Sequence, residues 1–213
     1  VCLNTILDKW MEPLEKIFPT KVSNNGKASD EITTVSFYKD GSETNKKSFS
    51  GKASGACGNL ARPRIFIPVF PGTNCEYDTA KAFEEAGGKT DIFVVKNLTP
   101  KDIEKTIDIM VKKIANSQIV MLPGGFSAGD EPEGSGKFIA TAFRNPYIKE
   151  AVMELLKKRD GLMLGICNGF QALIKLGLLP YGEICDINEE SPTLTFNSIG
   201  RHVSCMVRTR IAS

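Results

Sequence analysis

Cys167 stands two residues after Gly165 and two before Gly169, in the run GICNG. This Gly-x-nucleophile-x-Gly spacing is that of a nucleophile elbow. The strand-to-helix turn is so sharp that side chains at the flanking positions would collide with the neighbouring strand and helix. A nucleophile there projects into a crevice from a strained backbone, and a helix N-terminus favours thiolate through its dipole and unpaired N–H groups. The chemistry implied is attack on a carbonyl. Free cysteine is also a common small core residue, but packing alone gives no reason for a glycine on each side.

Such an attack needs donors for the oxyanion it creates. The backbone N–H of Asn168, the residue after the nucleophile, is one candidate. Gly124 and Gly125 lie in another loop, PGGFSAGDEPEGSG, and without Cβ atoms their backbone can approach a substrate closely. The Gly125 N–H is the second candidate. A Gly-Gly pair alone also makes a simple turn; together with the elbow it points to acyl chemistry.

The elbow has to be held by a strand and a helix. Leu162, Met163, Leu164 and Ile166 read as a short, fully buried strand. Residues 168–176 read as a helix with Phe170, Leu173 and Ile174 on one face, and Leu178 just beyond. The preceding hundred residues alternate in the same way. Residues 65–70, 91–95 and 119–122 read as strands. Residues 77–86, closed by Gly87-Gly88, and 146–158 read as helices. Another helix starts at a Thr99 cap with Pro100 in its first position and Asp102 completing a capping-box-like pattern. Its buried stripe is Ile103, Ile107, Met110, Val111 and Ile114. Strands separated by crossover helices predict an α/β fold, a parallel sheet with helices on both faces. Ligands bind such sheets beyond the carboxyl ends of the strands. The loops PGTNCE, PGGFSAGDEPEGSG and GICNGFQ all leave such ends and should converge on one crevice.

Across its 213 residues the chain has the apolar and charged fractions of an ordinary globular protein, with a net charge of +2. That balance gives no electrostatic case for nucleic acid or an anionic membrane, and no run approaches the length of a membrane span. The six cysteines form no Cys-x-x-Cys pair, and His202 is the only histidine, so no zinc-site spacing exists and no metal is expected. Scattered free thiols suit a reduced, cytoplasmic protein. Residues 1–62 differ from the rest. Leu3, Ile6, Leu7, Trp10, Leu14, Ile17 and Phe18 recur at helical spacing, with Pro13 expected to kink the segment, and 39–59 read as a Gly, Ser, Lys and Asn linker. This helical segment and linker are expected to dock elsewhere, leaving 63–213 as the α/β domain.

LPGGFSAGD (122–130), GICNGFQALIKLGLLP (165–180), FPGTNCEYDTAKAFEEAGG (70–88) and TFNSIGRH (195–202) carry a family likeness. Together they resemble the class I glutamine amidotransferase domain of phosphoribosylformylglycinamidine synthase, over roughly 64–211. WMEPLEKIFPTK (10–21) and the linker after it resemble the stretch joining synthetase to glutaminase in the single-chain form. The resemblance implies that Cys167 attacks the side-chain amide of L-glutamine and that water hydrolyses the resulting thioester. Ammonia then serves an ATP-dependent site that converts formylglycinamide ribonucleotide to the amidine. It also implies that Gln171 contacts the bound glutamine, and that Asn197, Ser198 and Arg201 help hold its α-amino and α-carboxylate groups. No cofactor is implied in this domain; ATP and Mg belong to the synthetase part, the expected partner.

The family's base is a histidine followed two residues later by a glutamate near the C-terminus. This chain has no His-x-Glu: His202 is followed by Val203 and Ser204, and it falls where the family usually has an aromatic or similar residue in the substrate loop. His202 is therefore read as a local hydrogen-bonding or packing residue and not as the base. A first residue Val1 and the lack of that pair before Ser213 suggest a fragment of a larger synthase, truncated ahead of its base and of very low activity. Two other readings stand beside this one. Another cysteine-elbow hydrolase of similar fold would usually carry a histidine after the cysteine, where Asn168 stands. A non-catalytic docking or gating module remains compatible with the absent base.

Overall fold

Four strands, β1 (Arg64–Val69), β2 (Lys89–Val94), β3 (Ile119–Leu122) and β4 (Leu162–Gly165), pair in the order β2-β1-β3-β4, all parallel. The computed structural model describes residues 2–17, 62–130, 136–194, 197, 199 and 203–206. Parallel neighbours need crossovers, and α2 (Glu76–Glu85), α3 (Pro100–Ala115) and the pair α4 (Lys137–Phe143) and α5 (Pro146–Lys157) supply them, while α6 (Asn168–Lys175) and α7 (Leu178–Tyr181) come after β4. They follow an N-terminal helix α1 (Leu3–Glu15).

Alternation along the strands divides the core in two. Ile65, Ile67 and Met121 face α2, where Ala80 and Phe83 close over them. Phe66, Val120 and Leu122 face the other way, into a larger cluster with Met110 and Ile114 of α3, Ile139 and Phe143 of α4, Ile148, Val152 and Leu155 of α5, and Ala172 and Leu173 of α6. The helix starts follow their caps. Thr99 Oγ1 accepts from Asp102 N at 3.1 Å ahead of Pro100, and Asn145 Oδ1 accepts from Tyr147 N at 3.1 Å ahead of Pro146. Each such cap stabilises its helix by about 1 kcal/mol. The C-terminus of α3 is closed from a distance: the Arg159 guanidinium donates to the carbonyls of Ile114, Ala115 and Ser117 at 2.8, 2.8 and 3.0 Å.

Several sequence expectations need correction. Among the described residues β4 stands at the edge of the sheet, and it is not fully buried: Leu162, Leu164 and Ile166 are 62%, 45% and 52% exposed. They point to the α2 side of the sheet, which α2 does not cover that far out, and the strand ends at Gly165. α6 buries Ala172, Leu173 and Leu176 and leaves Phe170 exposed. On α3 the fully buried residues are Thr106, Met110 and Ile114, while Ile103 is exposed. α4 had no counterpart in the sequence reading. It packs Phe138 edge-on against Phe70 at the end of β1, ring centroids 5.8 Å apart.

In α1, Leu3, Ile6, Leu7 and Trp10 are all exposed, and Pro13 sits in the last turn without breaking the helix. Phe18 and the linker 39–59 lie outside the described residues. No helix among the described residues is long and apolar enough to cross a membrane.

Candidate active site

Cys167 occupies the junction between β4 and α6, with φ 52° and ψ −108°. Left-handed φ is costly for a side chain with a Cβ, and such strain persists only where the surroundings enforce it. Here they do. Ile166 N–H donates to Leu122 O at 3.1 Å, continuing the β3–β4 ladder up to the residue before the thiol. Gly169 N–H donates to Ile166 O at 2.9 Å and Gln171 N–H to Cys167 O at 3.0 Å, so the helix starts at once on the far side. The thiol is free and exposed.

The second loop lies against this elbow. A Cβ built on Gly124 would come 3.3 Å from the Cys167 Cβ. Gly125, at φ 132°, has no room for a side chain: a Cβ would stand 2.5 Å from Asn74 N and 2.6 Å from Gly72 O. That crowding comes from an antiparallel bridge between Thr73 and Gly125, in which Asn74 N–H donates to Gly124 O and Phe126 N–H to Gly72 O. Gly125's own N–H takes no part in that bridge. Ala128 N–H adds a further bond to Pro71 O at 2.7 Å. The three glycine-rich loops thus meet at one crevice at the carboxyl end of the sheet, as expected. The Asn168 N–H opens α6, where the helix has no carbonyl of its own to offer.

Gln171 is half-buried one turn after Cys167, and its Oε1 accepts from Asn168 Nδ2 at 3.4 Å. Asn197 is exposed and belongs to no helix or strand. Ser198, Arg201 and His202 lie outside the described residues.

Some features of the crevice were not anticipated. Cys75 is a second exposed thiol, at φ 67° before α2 and next to Asn74 on the crevice rim. Lys175, read within an apolar helix, is 1% exposed and donates from Nζ to Thr193 Oγ1 at 2.9 Å and Leu194 O at 3.5 Å. It ties the segment leading toward Asn197 to α6. The Lys175 carbonyl accepts from Arg144 Nη2 at 3.1 Å. Burial holds the Arg144 pKa below the ordinary arginine value, opposed by Asp186 and Cys185 nearby. A buried lysine in a helix has no local sequence signal, because its partners come from a later segment.

A hollow of about 590 Å³ lies at the opposite pole, between the starts of β1 and β2 and the end of α3. Arg64, Lys89, Lys112 and the Lys113–Asp91 ion pair line it. Its lining holds neither a thiol nor a glycine-rich loop. Among the described residues no cluster of three His, Cys, Asp or Glu side chains could hold a metal ion.

The chain is similar to several known proteins. The subunit PurQ of phosphoribosylformylglycinamidine synthase from Dehalococcoides mccartyi is 38% identical over 142 residues, 67% of this chain and 50% of that protein. The same subunit from Treponema denticola is 34% identical over 158 residues, 70% of this chain and 54% of that protein. The one from Methanococcus maripaludis is 40% identical over 126 residues, 57% of this chain and 42% of that protein. This chain thus spans about half the length of the curated relatives it matches. One chain of a solved structure, "Structure of PurLQS from Thermotoga maritima", aligns at 29% identity with a TM-score of 0.39, over 55% of this chain and 46% of that one. Residues 62–213 match the profile of the CobB/CobQ-like glutamine amidotransferase domain, and the chain belongs to that family.

Proposed function

We propose that residues 63–213 form part of the glutaminase of a phosphoribosylformylglycinamidine synthase, with 1–62 the stretch leading in from the synthetase part. Glutamine enters the crevice and the Cys167 sulfur attacks its side-chain amide carbon. The oxyanion is met by the N–H groups of Gly125 and Asn168. As the C–N bond breaks, ammonia leaves with the proton it needs, and a glutamyl thioester remains. Water then cleaves the thioester to glutamate and the free thiol. Gln171, Asn197, Ser198 and Arg201 bind the amino-acid end. The synthetase part uses the ammonia with ATP and Mg to convert formylglycinamide ribonucleotide to the amidine, in the cytoplasm.

The observation that carries this reading is Cys167 at φ 52°, ψ −108° between a strand and a helix, with the Gly124–Gly125 backbone against it. The names of the relatives agree with it. The 213 residues contain no His-x-Glu pair, so the base that takes the thiol proton and protonates the leaving ammonia is not supplied by these residues. Proton transfer of that kind is worth roughly 10²–10⁴-fold in rate.

Glutamate release tests the reading. An extended chain that includes a His-x-Glu should turn over glutamine far faster than the 213 residues alone, and Cys167→Ser should abolish that turnover. Near-full activity in the 213-residue chain that vanishes on His202→Ala would reassign the base to His202.

A further inference from the structure

Asn168 is 1% exposed, and its side chain bridges two parts of the crevice. Oδ1 accepts from Ser127 N–H at 3.3 Å, and Nδ2 donates to Gln171 Oε1 at 3.4 Å. The bond to Ser127 crosses from the elbow to the oxyanion loop. Phe126 and Ala128, on either side of Ser127, send their N–H groups to Gly72 and Pro71 in the first loop. The N–H between them turns the other way, toward the elbow. The oxyanion loop is therefore held both by a backbone bridge on one side and by the Asn168 carboxamide on the other.

Burying a carboxamide is costly unless its donors and acceptor are met, and a leucine, which has the same branched skeleton, would make no such demand. The residue directly after the nucleophile thus bears a polar group that packing does not require. We infer that the Asn168 side chain is a positioning residue for the proposed amide hydrolysis. It sets the separation between the Cys167 elbow and the loop 124–127, keeping the Gly125 N–H aimed at the oxyanion, and it holds the Gln171 amide at the crevice wall. This deepens the glutaminase reading and rests on it.

An oxyanion donor is worth about 10²–10³-fold in kcat when its aim is right, and small displacements forfeit much of that. Alkylation of the same sulfur by iodoacetamide displaces a halide at a saturated carbon and forms no oxyanion. The two reactions therefore separate aim from nucleophilicity.

The experiment uses the full-length synthase, comparing the unsubstituted enzyme with Asn168→Leu and Asn168→Ala. Glutamate release gives kcat, and mass spectrometry follows iodoacetamide labelling of the peptide carrying Cys167. The expected result is a kcat lowered about 10- to 100-fold with labelling changed no more than about threefold. A kcat within about threefold of the unsubstituted enzyme would overturn the inference. So would labelling that falls in step with kcat, which would mean the elbow itself had collapsed. Loss of folding in both variants would assign Asn168 to stability and overturn it as well. An unsubstituted enzyme that releases no glutamate while its thiol labels normally would instead sink the glutaminase reading, a distinct outcome.

Discussion

Gly165 and Gly169, the two glycines flanking Cys167, press against each other: a Cβ on Gly165 would stand 2.6 Å from the Gly169 carbonyl oxygen. Gly169 in turn has its vacant Cβ position overlapping the Leu122 carbonyl oxygen on β3. Neither obstacle is a flexible side chain, so alanine at either position must move backbone. Gly169→Ala should lower stability by about 3 kcal/mol or more, the upper range for overpacking. Gly87 provides the control, with φ 92° but nothing within 4 Å of its vacant Cβ position. Gly87→Ala should cost only its backbone strain, about 1–2 kcal/mol. Urea unfolding midpoints of the two variants decide it; equal losses would remove close approach as the reason for Gly169.

Ser127 is 2% exposed and its Oγ has no hydrogen-bond partner among the described residues. Removing an unmet buried hydroxyl relieves a desolvation cost of about 1 kcal/mol or more. Ser127→Ala keeps the N–H that Asn168 accepts, so its thermal midpoint should be unchanged or higher. A drop in glutamine turnover at unchanged stability would mean that the hydroxyl reaches the substrate.

Cys167 pays for its position with strain. Glycine adopts φ 52°, ψ −108° without a Cβ clash. Relief of a strained backbone residue is worth about 1–3 kcal/mol, so Cys167→Gly should be inactive and more stable. Denaturant titration beside Cys167→Ala, which keeps the strain, is the check. Equal stabilities would mean that the elbow stores none.

The open flank of β4 has a different liability. Among the described residues no strand pairs with the outer edge of β4, and such an edge bearing Leu162, Leu164 and Ile166 is a template for pairing with another chain. Leu164→Lys puts a charge on that row and should reduce self-association of the 213-residue chain in light scattering. Its unfolding temperature should move little, because the side chain is already 45% exposed. Unchanged association would place the contact elsewhere.

Much of this was legible in local pattern. All four strands were read to within two residues at each end, and Thr99 and Pro100 marked the start of α3, because alternation and caps are written into neighbouring positions. Strand order is not. Leu162, Met163 and Leu164 form an apolar run suited to a covered strand, and only the β2-β1-β3-β4 order puts them at an edge. α4 starts at Gly136, φ 70°, without a side-chain cap, so nothing local announced it. The thiol and its glycines were visible as a motif. The Asn168–Ser127 bond joins residues 41 positions apart, and no spacing rule reaches that far.

The crevice is sewn together by main-chain bonds between segments far apart in the chain: Asn74 to Gly124, Phe126 to Gly72, Ala128 to Pro71 and Ile166 to Leu122. Closure over such separations is slow and waits for the last participant. On a ribosome, a nascent chain that has emerged only as far as α4 already carries the first two loops, but not the elbow they are set against. The thiol gains its bent backbone only when β4 registers on β3 and α6 winds behind it. During synthesis, the strained cysteine is thus a late product of assembly, and the unfinished chain carries an ordinary one.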